Sequence, residues 1–441
     1  MISPPKTYQR ARHAAARTSD YLFNQLIPYI GNKRKLLPLI QDALARTGHR
    51  RNEVFLDLFA GSGVVSRLAK QLGYRVISND WEPYCRVIHQ CYIAGNEPPA
   101  CAALGGYRRA IAALNALPPR VDWVTEHLCP RDDVNYDIRR DRMFYMRKNG
   151  MRIDAIREQI RAWVSAGAID LLEEACLLAP LLYQACYASN TSGVFKGFHQ
   201  GWGGQTATAL YRIAGDLQLR ETVFWDNGQE NEVYCADAQT LADRLGDREI
   251  DVAYLDPPYN QRPYGGNYHV LNSIALWDKP PLSKQITDRN KSAIRTDWRT
   301  TRRSAYNYRD EALRAYQRLM KTLHAHFILT SYSTDGMIPL YDLVLANTAR
   351  GQVSVVMQGY KRYRVSSQRF SAKPMNVEFV LILDTHHEGA VSAEALTQSI
   401  REYETNVLNN RPERRGLGAD VGFPATCWCD EPEIDGATIH V

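Results

Sequence analysis

Near the start of the chain, two apolar strands are separated by an amphipathic helix. The first strand is EVFLDLF, the helix is SGVVSRLAKQLG, capped by Ser62 and closed by Gly73, and the second strand is RVISND. When a helix joins two strands, the strands pair in parallel, because a parallel pair needs a long crossover connection. The pattern therefore predicts a βαβ unit within a parallel α/β sheet.

The same alternation resumes after residue 230 and predicts the rest of the sheet. Between the two halves the strand pattern is lost, and the sequence becomes helical, irregular and rich in basic residues. An insertion into one α/β domain explains this order. We predict a flexible arm at 1–19, the α/β domain at 20–95 and 231–385, a largely helical insertion at 96–230 and a tail at 386–441.

Composition excludes several classes of protein. With 45% hydrophobic and 23% charged residues, the chain is an ordinary globular protein, and its net charge of +6 favours polyanionic partners without requiring them. The nine cysteines contain no CxxC pair, which favours a reducing, cytoplasmic compartment and no structural metal. The longest apolar run, LLAPLLYQACYA, is too short to span a membrane.

A glycine-rich turn, DLFAGSG, follows the first strand. Gly61 and Gly63 permit a tight turn and close approach of a ligand to the helix N-terminus, although a turn without a ligand is the alternative. Asp80 follows the next strand, about 20 residues after Asp57, where a carboxylate can bind ribose hydroxyls. The chain lacks GxGxxG and GxxxxGK[ST], so an adenosine cofactor without phosphate, S-adenosylmethionine, fits best, with Trp81 packed on its adenine.

A second turn, DPPY, directly follows the apolar strand IDVAYL. Pro257 and Pro258 lack a backbone N–H, so the strand ends before Asp256. The Asp256 carboxylate and the Pro257 carbonyl can accept hydrogen bonds from the exocyclic amine of a nucleobase and turn its lone pair towards a methyl donor. Tyr259 can stack on a base that has left the duplex. The turn therefore predicts methyl transfer to a base nitrogen.

Several motifs occur in a characteristic order: YIGNKRKLL, FLDLFAGSG, SND, DPPY, ILTSYS and RFSAKPMNVEFVLIL. In these motifs the chain resembles the Dam-like, alpha-group DNA adenine-N6 methyltransferases. The resemblance implies a Rossmann-like, S-adenosylmethionine-dependent methyltransferase sheet, an insertion that recognises the target, and transfer to N6 of adenine in a short sequence of double-stranded DNA. It implies that the following residues hold the cofactor: Tyr29, Gly31, Lys33, Asp57, Phe59, Gly61, Gly63, Asp80 and Asp237. Asp256, Pro257, Pro258 and Tyr259 correspond to the catalytic tetrad.

Basic residues beside aromatic ones predict contacts with DNA, with a solvated surface as the alternative. One group lies in the insertion near Phe144 and Tyr145, and the other follows DPPY; together they comprise Arg140, Arg147, Lys148, Arg299, Arg302 and Arg303. The loop SNTSGVFKGFHQGWGG at 189–204 either faces DNA or braces the insertion against the sheet.

Three other functions remain open at this point. An N4-cytosine DNA methyltransferase and an RNA adenine methyltransferase use a similar tetrad, and an inactive methyltransferase fold can serve as a DNA-binding module. Asp80 and the complete DPPY turn argue against the inactive fold, which has no physical need for them. The expected partners are double-stranded DNA and a cognate restriction endonuclease, and the expected state is a monomer or weak dimer.

Overall fold

A computed structural model describes residues 20–205, 207–261, 263–283, 286–287, 290–361 and 375–409. The side chains of Arg299 and Lys361 are not described. The predicted arm at 1–19 and the end of the predicted tail lie outside the described residues.

The described residues form one seven-stranded sheet, which confirms the predicted α/β fold. Its strands lie in the order β3, β2, β1, β4, β5, β7, β6. Their bounds are Val54–Asp57 (β1), Arg75–Asn79 (β2), Glu232–Tyr234 (β3), Ile250–Leu255 (β4), Ala325–Ser333 (β5), Gln352–Lys361 (β6) and Met375–Asp384 (β7). Strands β1 to β5 pair in parallel, and β7 is antiparallel to β5 and β6. The order reverses between β1 and β4, where sheets of this type bind ligands.

Helices α1 (Leu37–Ala45), α2 (Val64–Leu72) and α3 (Pro83–His89) belong to the first half of the α/β domain. A short 3₁₀ turn, Lys33–Leu36, precedes α1. The sequence places the cap of α2 at Ser62, but the residue before the helix is Gly63, with φ +78°. Glycine adopts this left-handed conformation without strain, and no side chain caps the helix, so the predicted cap at Ser62 is wrong.

Between β2 and β3 the chain forms a helical region, as predicted for the insertion. Its helices are α4 (Tyr107–Asn115), α5 (Trp123–Leu128), α6 (Arg147–Ser165), α7 (Leu171–Tyr187) and α8 (Leu210–Ala214). Ile156 and Leu177 belong to the same apolar cluster as Phe55 and Val76 of the sheet. The insertion therefore shares one apolar core with this face of the sheet.

The second half adds helices around the other face of the sheet and around the end of β4. They are α9 (Ala238–Leu245), α10 (Tyr264–Asn267), α11 (His269–Leu276), α12 (Trp298–Thr301), α13 (Arg309–Thr322), α14 (Leu340–Thr348) and α15 (Ala393–Asn409). The predicted tail contains α15, whose Leu396 and Ile400 are buried in one cluster with Phe379 and Leu383 of β7. This stretch is therefore part of the core rather than an appendage. Its few apolar residues gave a weak sequence pattern.

Among the described residues, no helix has the length and apolar character needed to cross a bilayer. The same residues contain no cluster of three or more His, Cys, Asp or Glu side chains suited to a metal ion. Cys427 and Cys429 lie outside the described residues.

Candidate active site

A cavity of about 460 Å³ opens at the carboxyl ends of the parallel strands. Four carboxylates from four strand ends line it: Asp57 is the last residue of β1, and Asp80, Asp237 and Asp256 follow β2, β3 and β4. The structure brings most of the predicted cofactor residues to this cavity, and the lining includes Tyr29, Gly31, Lys33, Asp57, Phe59, Gly61, Asp80, Trp81 and Asp237. Gly63 is not part of the lining; it directly precedes α2. Residues far apart in sequence therefore meet in one space.

The glycine turn is held by the carboxylate of Asp80. The Gly61 N–H donates to Asp80 Oδ2 at 2.8 Å, and the Glu82 N–H donates to Asp80 Oδ1 at 2.9 Å. Gly61 has φ +52°, and a Cβ placed on it would lie 2.8 Å from the Tyr29 ring. The turn thus needs glycine at this position both for its conformation and for its contact with Tyr29.

Asp57 is a buried carboxylate with spare hydrogen-bonding capacity. The Ser66 hydroxyl donates to Asp57 Oδ2 at 2.7 Å, whereas Oδ1 has no hydrogen-bond partner among the described residues. Burial raises the pKa of Asp57 to about 8, although Ser66 opposes this shift. A buried, partly unpaired carboxylate in a cavity wall suits a cationic ligand group, which would hold Asp57 in its charged form.

Three parallel tyrosine rings join the N-terminal motif to the segment after DPPY. Tyr29 stacks against Tyr264 at a centroid distance of 5.0 Å and against Tyr268 at 5.2 Å, and the Tyr264 and Tyr268 rings lie 6.3 Å from each other, so the three rings form a compact cluster. The Ile30 N–H donates to the Tyr268 hydroxyl at 2.8 Å, and the Tyr264 hydroxyl donates to the Ile30 carbonyl at 3.1 Å. The sequence alone assigns Tyr264 and Tyr268 no role, because only the fold brings them to Tyr29.

Asp256 is paired with a lysine from the N-terminal motif. Lys33 Nζ lies 2.9 Å from Asp256 Oδ1, and neither atom has another hydrogen-bond partner among the described residues. Burial alone would lower the pKa of Lys33, but Asp256, Tyr259 and Glu378 raise it well above its usual value. Burial raises the pKa of Asp256, and Lys33 opposes this shift. The lysine is therefore protonated and fixes the position of the carboxylate.

The DPPY turn presents only part of its surface to the cavity. Asp256 and Pro258 line it, whereas Pro257 and Tyr259 do not. The Tyr259 ring packs edge-on against Tyr332 at 5.6 Å and lies 5.2 Å from Lys33 Nζ. Stacking of Tyr259 on a target base stays a prediction.

The second basic segment lies at the rim of the cavity. Arg295 and Arg302 both stack on Trp298, with guanidinium carbons 4.4 Å and 4.5 Å from the centre of its ring. Arg302 donates to the Trp81 carbonyl at 2.6 Å. Arg303 pairs with Glu311 and, like Arg302, lines the cavity. The backbone of Arg299 lies in α12.

The basic residues of the insertion do not form a continuous patch. Arg140 pairs with Asp137 at 3.6 Å, and Lys148 pairs with Asp216 at 2.6 Å. Arg147 starts α6, and none of these three basic residues lines the cavity. The neighbouring aromatic residues, Phe144 and Tyr145, are fully buried, so their predicted stacking against DNA is wrong: they fill the core.

The loop at 189–204 connects the insertion with the segment after DPPY. Its Phe195 is buried, and the Phe195 N–H donates to the Asn267 carbonyl at 2.7 Å. Arg212 donates to the carbonyls of Tyr187, Ser189 and Thr191. These contacts favour the bracing role. Lys196 of the same loop nevertheless lines the cavity.

Sequence reasoning missed several residues of the cavity. Glu82 accepts a hydrogen bond from the buried Asn272 amide at 2.5 Å, and burial raises the pKa of Glu82 to about 7. Tyr306 packs edge-on against Phe59 at 5.2 Å. Glu82 could have been predicted as a cavity residue, because it lies two positions after Asp80. Nothing in the sequence indicates that Tyr306 lines the cavity.

Comparison with known proteins decides between the methyltransferase classes. Residues 29–323 match the model of the D12 class N6 adenine-specific DNA methyltransferases. The chain belongs to this family. The protein is therefore an adenine-specific DNA methyltransferase. This family membership argues against the two alternatives, an N4-cytosine DNA methyltransferase and an RNA adenine methyltransferase.

Relatives of this methyltransferase include type II methyltransferases and a modification methylase. It is 32% identical over 338 residues to the type II methyltransferase M.NlaIII of Neisseria lactamica, an alignment that covers 76% of this chain and 92% of the relative. It is 30% identical over 339 residues to the type II methyltransferase M.CviAII of Paramecium bursaria Chlorella virus 1, covering 77% and 93%. It is 30% identical over 341 residues to the modification methylase StsI of Streptococcus sanguinis, covering 76% of this chain but 48% of that relative.

Proposed function

We propose that this enzyme transfers the methyl group of S-adenosylmethionine to N6 of adenine at a short, specific sequence of double-stranded DNA, after the adenine has left the duplex. The observation that carries the proposal is the single cavity that joins the glycine turn and its carboxylates to Asp256 of DPPY. We also propose that the enzyme belongs to the Dam-like, alpha group. This assignment is supported by the order along the chain, with the helical insertion between the glycine turn and DPPY.

The cofactor side of the cavity fits an adenosine that carries an amino acid. Asp57 Oδ1 is a buried, unpaired acceptor for the amino group, and Asp80 lies beside the glycine turn, where a ribose would pass. Asp237 caps α9 with one carboxylate oxygen and lines the cavity near Phe59 and Trp81, where an adenine ring would lie. When bound, the cofactor supplies an electrophilic methyl group on a sulfonium.

The target side of the cavity fits an exocyclic amine. Asp256, held by Lys33, accepts a hydrogen bond from this amine. We assign the second to the carbonyl of Pro257, which directly follows Asp256 although Pro257 is not part of the cavity lining. Both bonds draw the nitrogen lone pair out of the base ring and towards the methyl group. Tyr264 and Trp298 provide aromatic surfaces in the cavity wall for a base outside the duplex. Catalysis then depends on positioning and electrostatics rather than on a covalent intermediate.

The proposed function is tested by expressing the enzyme in a host that lacks DNA methylation and mapping modified bases across the genome. We expect N6-methyladenine at one recurrent short sequence, and none in cells that express Asp256→Asn. N4-methylcytosine, or adenine methylation without a recurrent sequence, would contradict the proposal.

We propose that the rim arginines bind the DNA backbone. The double substitution Arg302→Glu and Arg303→Glu should weaken DNA binding, because each side chain at the rim would repel phosphate instead of pairing with it. The plot of log affinity against log salt concentration, measured by fluorescence anisotropy, should lose about 1–2 units of slope.

The matched control is Arg46→Glu with Arg50→Glu, two exposed arginines that precede β1 at the opposite edge of the sheet. The control should keep the wild-type slope. An unchanged slope in the rim variant would contradict DNA contact at Arg302 and Arg303. Arg140, Arg147, Lys148 and Arg299 remain further proposed contacts.

We propose a cognate restriction endonuclease as a functional partner, action in the cytoplasm and a monomer or weak dimer in solution. The names of the relatives support the first of these, because they include type II methyltransferases and a modification methylase.

A further inference from the structure

Behind the glycine turn, four hydrogen bonds join the Asp57 carboxyl to the Gly61 carbonyl through three buried side chains. Asp57 Oδ2 lies 2.7 Å from the Ser66 hydroxyl oxygen, which lies 2.9 Å from that of Ser78. The Ser78 oxygen lies 3.2 Å from His89 Nδ1, and His89 Nε2 lies 3.0 Å from the Gly61 carbonyl oxygen. The four side chains are fully buried. We call them, with this carbonyl, the Asp57–His89 network.

The Gly61 carbonyl fixes the direction of the hydrogen bonds at one end of the network. A carbonyl oxygen only accepts, so His89 Nε2 carries a proton. A second ring proton would bury another cation near Arg67, and burial lowers the pKa of His89 to about 4, although the Gly61 carbonyl opposes this shift. The ring is therefore neutral near pH 7, and its Nδ1 is an acceptor. Ser78 must donate its proton to His89 rather than to Ser66.

The number of hydroxyl protons then decides the charge of Asp57. Each serine has one proton, and that of Ser78 goes to His89, so the bond between the two serines needs the proton of Ser66. Ser66 has none left for Asp57, and the bond between them forms only if Asp57 is protonated and donates. An ionised Asp57 takes the Ser66 proton instead and leaves the two serine oxygens facing each other without one. Only the protonated form keeps all four hydrogen bonds.

The surroundings of Asp57 favour the same protonated form. Burial raises the pKa of Asp57 to about 8; the Ser66 hydroxyl and the Phe59 N–H oppose this shift, whereas Asp256 and Asp80 add to it. The titratable or charged groups that act on the two ends of the network are Asp80, Asp256 and Tyr254 at Asp57, and Arg67 at His89. The carboxylates nearby therefore disfavour a further negative charge on Asp57.

We propose that Ser78 and His89 are positioning residues that keep Asp57 protonated in the free enzyme, so that binding of the cofactor's ammonium group displaces one proton from the site. This inference rests on the proposed function of the cavity. The O–H bond of Asp57 breaks, its proton leaves to solvent, and the carboxylate pairs with the ammonium group through Oδ1, which has no hydrogen-bond partner among the described residues. The buried wall thus holds this charge only when a cation compensates it.

The first test is the pH dependence of the affinity for S-adenosylmethionine, measured by calorimetry. In the wild type the affinity should rise by up to about tenfold per unit between about pH 6 and 7, because Asp57 must lose a proton for binding. In Ser78→Ala, ionisation of Asp57 no longer breaks a hydrogen bond, so its pKa falls. The variant should bind about two- to tenfold more tightly than the wild type at about pH 6. Equal or weaker binding there would overturn the inference.

Two further variants separate this effect from a loss of packing. Ser66→Ala removes the donor to the ionised form of Asp57 and should weaken binding at about pH 6, opposite in sign to Ser78→Ala. The matched control, Thr330→Val, removes a buried hydroxyl of β5 that bonds to Tyr316 at 2.7 Å, and should keep the wild-type pH dependence. A shift of Ser66→Ala and Ser78→Ala in the same direction would contradict the proton count.

The second test counts the protons that cofactor binding releases. Calorimetry in two buffers with different ionisation enthalpies should show about one proton released per S-adenosylmethionine bound at about pH 6.5. The comparison ligand, 5′-methylthioadenosine, lacks the amino acid and should release none. Equal release with both ligands, or none with either, would overturn the inference.

A third measurement uses the wild-type protein without DNA or cofactor, so it holds even if Ser78→Ala does not fold. In protein labelled with ¹³C in aspartate carboxyl groups and ¹⁵N in histidine rings, Asp57, assigned with Asp57→Asn, should remain protonated at about pH 6. His89, assigned with His89→Gln, should be neutral with its proton on Nε2. An ionised Asp57 or a cationic His89 would overturn the inference even if genomic methylation is found. The expected protonation without genomic methylation would overturn the proposed function and leave the network standing.

Discussion

Replacement of Asp256 by asparagine is expected to lower the single-turnover rate of methyl transfer by about 10²- to 10³-fold or more, the range seen when one preorganised electrostatic contact to a transition state is lost. Asparagine has the same shape, but its amide presents a neutral acceptor or a donor to the adenine amine. The negative charge that stabilises the developing cation is therefore lost. The rate is measured by rapid quench, with mass spectrometry of the DNA product.

Asparagine is preferable to alanine because Lys33 is buried. Removing one partner of a buried ion pair leaves an uncompensated charge and costs about 3–5 kcal/mol of stability. The isosteric change fills the same space and keeps an amide oxygen that can accept a hydrogen bond from the Lys33 ammonium. Cofactor affinity, measured by calorimetry, should stay within about threefold of the wild type, because Asp256 acts on the target side of the cavity.

The matched control for this prediction is Asp243→Asn, an exposed aspartate on α9 that pairs with Arg318 at 3.7 Å. It should retain the wild-type rate. Near-normal methyl transfer by Asp256→Asn would show that the DPPY carboxylate is not the acceptor on which the reaction depends.

Replacement of Gly61 by alanine is expected to remove most of the affinity for S-adenosylmethionine. The added Cβ would lie 2.8 Å from the ring of Tyr29, whose movement is restricted by its contacts with the Tyr264 and Tyr268 rings. The turn must shift instead, which breaks the hydrogen bond from the Gly61 N–H to Asp80. We expect at least a tenfold loss of cofactor affinity by calorimetry and about 1–3 kcal/mol less stability from overpacking alone.

Gly48→Ala separates the steric effect from backbone strain. Gly48 has φ +69°, close to that of Gly61, but no atom lies within 4 Å of a Cβ placed on it. The Gly48→Ala variant should lose only the stability that backbone strain costs, about 1–2 kcal/mol, and should keep normal cofactor affinity. Equal losses of affinity in the two variants would contradict the contact between Gly61 and Tyr29 as the cause.

Short-range chemistry made much of this protein predictable. The two prolines of DPPY end β4 at Leu255, and Gly61 and Gly63 shape the turn after β1, because these residues restrict or extend the backbone wherever they occur. The βαβ pattern implied parallel strands, and parallel strands place their carboxyl ends, and hence Asp57, Asp80 and Asp256, at one edge.

Other features depended on which surfaces meet in three dimensions. Phe144 and Tyr145, which look like a DNA-binding pair beside arginines, are core residues, and α15 packs on β7 although its own pattern is weak. Local sequence does not reveal burial, because burial is decided by the elements that cover a residue.

The charge arrangement of the candidate site shows the same division. The sequence by itself determined that Lys33 and Asp256 occur in two separate motifs, and it predicted that Asp256 follows the end of a strand. Only the tertiary structure decided that Lys33 reaches Asp256 across more than half the chain and that the pair is buried. The reason is physical: electrostatic interactions depend on distance and on exclusion of water, and both are properties of the packed chain rather than of its sequence order.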